Sequence, residues 1–319
     1  MKTLAENPLL VLRWVLLLGM GVIFTALNSY FLAAGNIFAL GDSFALLGLV
    51  ALGLALTMLA GEFDLSGGAM VAVSGLIMLK CGADNAALGL VAALAFGALV
   101  GLFNGVVTLK LNVSSLVTTL GVMILLSGFA VWLEGGQAVS FANYDLTDAF
   151  NMDWFGVFSP RSVITIALFI LTGLMLVFTR MGRDIIAAGS HRKAATMAGA
   201  NVGGAIVTTF VLSGLFAALA GALLAITLGR ASSTFGANLL LQAASAAILG
   251  GIALSGGVGR PFGVAVGVMV LAVLNNGLGL IGASSPAILL LNGAVLLIAV
   301  LAGGAPALWL KTRLRASES

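Results

Sequence analysis

The chain has 319 residues, of which 61% are hydrophobic and only 8% are charged, against roughly 25% charged in a soluble domain. Its mean hydropathy of +1.19 and its recurrent apolar runs, each long enough to cross about 30 Å of hydrocarbon, exclude a soluble enzyme or binding module. The net charge of +3 does not mark nucleic-acid binding, because Lys and Arg fall in short gaps between apolar runs rather than on one patch. With one cysteine, Cys81, and one histidine, His191, neither a disulfide nor a metal centre is expected.

Ten membrane-spanning helices are predicted, at 14–34, 44–61, 66–79, 86–109, 112–133, 162–179, 205–229, 239–256, 261–282 and 287–304. The first follows Lys2 and Arg13, and its apolar run is too long for a signal peptide. The second and third must share residues 44–79, fewer than two straight crossings need at 1.5 Å per residue, so a broken or re-entrant segment is expected near 61–68. There, Gly61-Glu62-Phe63-Asp64-Leu65-Ser66-Gly67-Gly68 places two carboxylates in an apolar run. A charge at mid-bilayer costs about 2.5 to 3.5 kcal/mol on insertion scales, so Glu62 and Asp64 need a partner, water or an interfacial position. Two readings stand: an interfacial turn in which Asp64 caps the next helix, or a discontinuous helix lining a solute path. The second makes Glu62, Phe63, Asp64 and Ser66 candidates for that path.

Further along, Gly97, Gly101 and Gly105 lie four apart, a pattern that lets helices approach closely. Asn104, Thr118 and Thr119 are among the few polar residues inside spans. Loop 134–161 is acidic and segment 180–204 is basic. In the latter, Ser190 is expected to cap a short helix starting near His191 and stopped by Gly199. A basic loop alone follows from the preference for cationic loops in the cytoplasm. An alanine-rich capped helix asks for more, and suits docking into a groove on a partner protein. Gly189, Ser190, His191, Arg192, Lys193, Ala194, Ala195, Ala198 and Gly199 are the candidate docking residues.

Gln242, Ser245 and Asn292 fit hydrogen bonds between helices, while the adjacent amides of Asn275 and Asn276 make them further candidates for the path. Leu65-Ser66-Gly67-Gly68 and Leu254-Ser255-Gly256-Gly257 echo the signature of ATP-binding-cassette ATPases, but no glycine directly precedes a lysine, so no phosphate-binding loop exists and the echo is read as accidental. Lys2, Arg13, Lys110, Arg180, Arg183, Arg192, Lys193, Arg260, Lys311, Arg313 and Arg315 fall on one side of the predicted topology, against Lys80, Arg161 and Arg230 on the other. That bias puts both termini in the cytoplasm.

Several of these stretches resemble the permease subunits of ribose-type sugar importers of the ATP-binding-cassette superfamily, related more distantly to branched-chain amino-acid permeases. The resemblance covers nearly the whole chain. It rests on Gly61 to Gly68, Leu116 to Gly121, the helix around Gly189 to Gly199, and above all Ala247 to Gly251, Ser255 to Gly259, Gly263 and Leu274 to Leu278. Glu62 and Phe63 stand where the family has Gly and Ile, and Gly67 where it has Val.

The resemblance implies a single all-α polytopic domain, 1–319, in the bacterial inner membrane, paired with a second permease copy, identical or related. It implies an ABC ATPase holding ATP and Mg on the cytoplasmic side, docked on His191 to Ala198, and a solute-binding protein outside, for which loop 134–161 is part of the surface. No cofactor or metal is assigned to this chain. The implied cargo is a monosaccharide or related polyol moved by alternating access. The rival reading is an ion-coupled secondary transporter working alone, with Glu62 or Asp64 binding a proton or cation; a membrane enzyme is disfavoured because no nucleophile has its base.

Overall fold

A segment in hydrocarbon must bond its own N–H and C=O groups, so apolar runs of this length fold as helices. The computed structural model describes residues 8–298. Six long apolar helices cross the layer there: α2 (Ala34–Leu59), α4 (Ala86–Lys110), α5 (Ser115–Glu134), α7 (Pro160–Phe178), α10 (Val202–Leu228) and α12 (Pro261–Leu280). Four further apolar helices accompany them: α1 (Pro8–Leu27), α3 (Gly67–Cys81), α11 (Leu239–Leu249) and α13 (Ser285–Ile298). The protein is thus an all-α, multi-pass membrane protein. Three shorter helices are less apolar: α6 (Tyr144–Asn151), and α8 (Arg180–Ser190) followed by α9 (Arg192–Met197) on the opposite face. Strands β1 (Val139–Ser140) and β2 (Arg230–Ala231) pair antiparallel beside α6. The last residues of the tenth predicted span, and Lys2, Lys311, Arg313 and Arg315, lie outside the described residues.

Two boundaries differ from the sequence expectation for identifiable reasons. The second helix starts at Ala34 rather than at 44, running through Asp42 because Arg161 and Ser159 at the start of α7 engage that carboxylate. The eighth stops at Leu249 rather than at 256, because Gly250 and Gly251, the latter at φ 86°, turn the chain out of the helix.

The helices repeat. The series α2 to α5 recurs as α10 to α13, with helix starts 168 to 175 residues apart (34 to 202, 67 to 239, 86 to 261, 115 to 285). Gly61 and Gly229 stand 168 residues apart, as do Gly68 and Gly236. Four crossings separate α2 from α10, so the two run in opposite directions. Contacts agree: Gly53 faces Ser213, while Gly67 touches both Val50 and Ala217. In keeping with an inverted repeat, α10 packs on α3 and α4 while α2 packs on α11 and α12. Close approach depends on small residues, since a Cβ at Gly105 of α4 would meet the Cα of Val207 at 2.9 Å.

Each half contains one broken crossing. Residues 60–66 leave the end of α2 and turn back into the layer, so that Gly67 begins α3 level with Val50, about 13 Å back along α2 at 1.5 Å per residue. Residues 232–238 do the same from the other face before α11. The two half-helix N-termini meet inside the protein, where a Cβ at Gly68 would lie 3.0 Å from the Gly236 carbonyl oxygen and 3.3 Å from Leu240.

Candidate functional site

A broken crossing leaves backbone groups that must find partners. Residues 60–66 find them on α2, α4 and α5. The Glu62 N–H donates to Thr57 O (2.9 Å), the Phe63 N–H to Ser115 Oγ (3.1 Å) and the Leu65 N–H to Thr119 Oγ1 (3.0 Å). Asp64 Oδ1 accepts from the backbone N–H and the hydroxyl of Ser66 (3.0 and 2.5 Å), and Asn104 Nδ2 donates to Ser66 Oγ (3.0 Å). Asp64, Ser66, Asn104 and Thr119 are all buried. Asp64 therefore closes a local turn just ahead of α3 instead of capping it at an exposed interface, and among the described residues it forms no ion pair. The broken crossing, the second of the two readings of this motif, describes the backbone.

Glu62 points the other way. Its carboxylate is buried and pairs with the guanidinium of Arg192, the first residue of α9, whose side chain is 47% exposed. Three chain segments meet here. Gly61 lies against Gly189 at the end of α8. The Gly257 N–H donates to Leu59 O (2.9 Å), and Gly256 packs on Gly61 and on the Gly189 carbonyl. The second Leu-Ser-Gly-Gly stretch, which the sequence offered only as an accidental echo, is one wall of this junction.

The docking candidates form the outer part of the same junction. The helix cap is His191 rather than Ser190: His191 Nδ1 accepts from the Ala194 N–H (3.4 Å), whereas the Ser190 hydroxyl donates back to Ile186 O. Gly199, at φ 79°, ends the segment as expected. Arg192, Lys193, Ala194, Thr196, Met197 and Ala198 are exposed, and Ala195 alone of α9 is buried. Ahead of it, α8 is an amphipathic helix that the basic-loop reading missed; its 3.6-residue pattern of Ile185, Ala188 and Gly182 facing inward was the available signal.

The remaining candidates are not gathered at this site. Thr118 Oγ1 is buried without a hydrogen-bond partner. Asn276 exchanges two hydrogen bonds with Asn36 near the start of α2 (3.0 and 2.7 Å), and Asn275 Oδ1 accepts from Asn292 on α13 (2.8 Å). Both amides thus tie α12 to neighbouring helices, toward the face opposite α9. Segment 134–161 folds onto that face, where Thr147 and Asn151 of α6 donate to the last carbonyls of α10. Sequence reasoning passed over Ser115, which holds the break, and Asn36, which holds Asn276; neither stands out in type or spacing.

The model of the family described as branched-chain amino acid transport system / permease component matches residues 36–300. The chain belongs to this family. It is 34% identical over 294 residues to the ribose import permease protein of Escherichia coli K12, covering 90% of this chain and 91% of that protein. It is 36% identical over 286 residues to the ribose import permease protein of Bacillus subtilis (88% of each), and 33% identical over 271 residues to the L-arabinose transport system permease protein of Escherichia coli K12 (83% and 81%). No solved structure matches it. Family membership makes the chain a transport subunit rather than an enzyme.

Proposed function

We propose that the chain is the membrane-spanning subunit of an ATP-driven importer that moves a monosaccharide or related polyol by alternating access. Relatives named for ribose, arabinose and galactose import support the cargo class. The observation that carries the coupling is α9: a short helix standing off one face, exposed on nearly all sides, with Met197 84% exposed and its base keyed into the break at Glu62. A projecting helix of this kind fits a groove on a partner, here a separate ATPase with its ATP and Mg. The cationic bias of the α8 and α9 side supports a cytoplasmic position for it in a bacterial cell, with both termini on that side. A solute-binding protein meets the face built by α6 and the β1–β2 pair, and a second permease copy completes the path. Shifting a two-state equilibrium from 1:99 to 99:1 takes about 5.5 kcal/mol, which ATP on the partner supplies.

An Ala194→Pro substitution tests this, because proline at 194 removes the N–H that His191 Nδ1 accepts and drives Lys193 out of the helical region. With ATPase and binding protein reconstituted, ATP hydrolysis is expected to lose its link to uptake while the permease stays folded and in the membrane. Undiminished uptake by the variant overturns the docking role of α9. Accumulation of solute by the chain alone under an ion gradient, without ATPase, overturns the importer reading in favour of ion-coupled transport.

A further inference from the structure

A large crevice lies away from the break. It is a cavity of 910 Å³ between α7 and α12, floored by α2 and closed at one end by α8. That volume is within the roughly 300 to 1,000 Å³ common for ligand sites. Its walls are apolar except at one point: Arg260, just ahead of α12, is the single charged residue of the lining. The crevice opens sideways, since Ile170, Val177 and Phe262 along it are exposed. On α7 it reaches from Val177, beside the α8 end, to Ile166, about 16 Å at 1.5 Å per residue. One leaflet of hydrocarbon is about 15 Å thick, half of the roughly 30 Å core.

We propose that this crevice binds one anionic phospholipid of the leaflet on the α8 side, with an acyl chain between α7 and α12 and its headgroup at Arg260. Three observations carry this. An apolar cavity does not hold ordered water, and one facing the bilayer is filled by hydrocarbon. On α7 the wall at position 173 is a glycine, and a Cβ built there meets nothing within 4 Å, so the space beside it is open. At the mouth Arg260 is exposed, and Arg183, also exposed, precedes the lining residue Ile186 by one turn of α8. Neither arginine takes part in an ion pair among the described residues. Basic pockets between membrane helices on this side select anionic headgroups, whose charge is not cancelled by an ammonium group. A neighbouring crevice of 340 Å³ shares Phe44 and Ile166 but has no charged lining residue, so no headgroup preference is expected there.

The test is lipid retention by the full chain purified from membranes, delipidated and offered phosphatidylglycerol or phosphatidylcholine, read by native mass spectrometry. The wild-type protein retains phosphatidylglycerol in preference. The Arg183→Gln/Arg260→Gln variant loses that preference, by roughly fivefold for each arginine removed. Gly173→Leu, whose Cβ enters open space and whose side chain obstructs the crevice, loses the retained lipid whatever its headgroup, while its elution volume and melting temperature stay those of a folded protein. Equal retention of the two lipids by the wild type overturns the proposal. So does full retention by Gly173→Leu, the outcome expected if a partner helix or a terminal segment of the chain occupies the crevice. The readout is binding rather than uptake, so either failure leaves the importer reading intact.

Discussion

Replacing Arg192 by Gln separates the ion pair at the base of α9 from everything around it. Its partner Glu62 has a side chain only 8% exposed, so the substitution leaves a buried carboxylate without its counter-charge. Breaking a fully buried pair this way costs about 3 to 5 kcal/mol, and breaking an exposed one about 0 to 1. With Arg192 itself 47% exposed, water and salt replace part of the lost interaction, and the expected cost is about 1 to 2 kcal/mol. That is a factor of about 5 to 30 in the population of the closed junction. Glu62→Gln is milder, about 0.5 kcal/mol, because the stranded charge is then the half-exposed arginine, which water solvates. The double variant should therefore recover most of what Arg192→Gln loses, giving a coupling energy of about 1 kcal/mol in the cycle. Melting of the purified protein reads the stability side. Solute taken up per ATP hydrolysed, in proteoliposomes with the partner ATPase, reads the functional side, where Arg192→Gln is expected to hydrolyse ATP with less uptake. If the two single variants behave alike, or the double variant is no better than Arg192→Gln, the pair does not link α9 to the break.

Four other outcomes follow from the packing. Gly236→Ala forces a side chain onto a backbone at φ 81° and against Gly68 O, so a loss of about 2 to 4 kcal/mol and a collapse of the folded fraction in size-exclusion chromatography are expected. Gly121→Ala on α5, where a Cβ meets nothing within 4 Å, should stay within about 0.5 kcal/mol of wild type in the same assay. Asn276→Leu strands the amide of Asn36 and should lower the melting temperature, while Asn36→Leu/Asn276→Leu together restore most of it, with a net amide contribution of about 0.6 kcal/mol. Asp42→Asn removes the charge and one of the two acceptor oxygens that hold Arg161 and Ser159 and is expected to loosen the start of α7 by about 1.5 to 3 kcal/mol, seen as faster hydrogen exchange in residues 160–165.

The ten apolar helices were legible because hydropathy reports burial in lipid directly, and the broken crossing because a length of 36 residues, 44–79, cannot hold two straight spans. What sequence could not show is pairing at long range. The second predicted span begins at 44, past Asp42, whose partner Arg161 lies 119 positions away, and the partner of Glu62, Arg192, lies 130 positions away. The inverted repeat also escaped a reading in chain order: the halves share few residues beyond glycines such as Gly61/Gly229 and Gly68/Gly236, because each half needs only matching turns and close approaches, not matching side chains. The cap of α9 moved from Ser190 to His191 because the serine hydroxyl was already committed to the preceding turn.

A layer assembled from one motif used right side up and then upside down has, in effect, the same door hung at both ends of a corridor. Any rearrangement that opens one end has a mirrored counterpart at the other, and neither door carries a preferred direction of traffic. Among the described residues α8 and α9 have no twin in the repeat, so the handle is fitted to one door only. Under alternating access, the direction of transport in this protein is then set by where force is applied, while the doors themselves remain interchangeable.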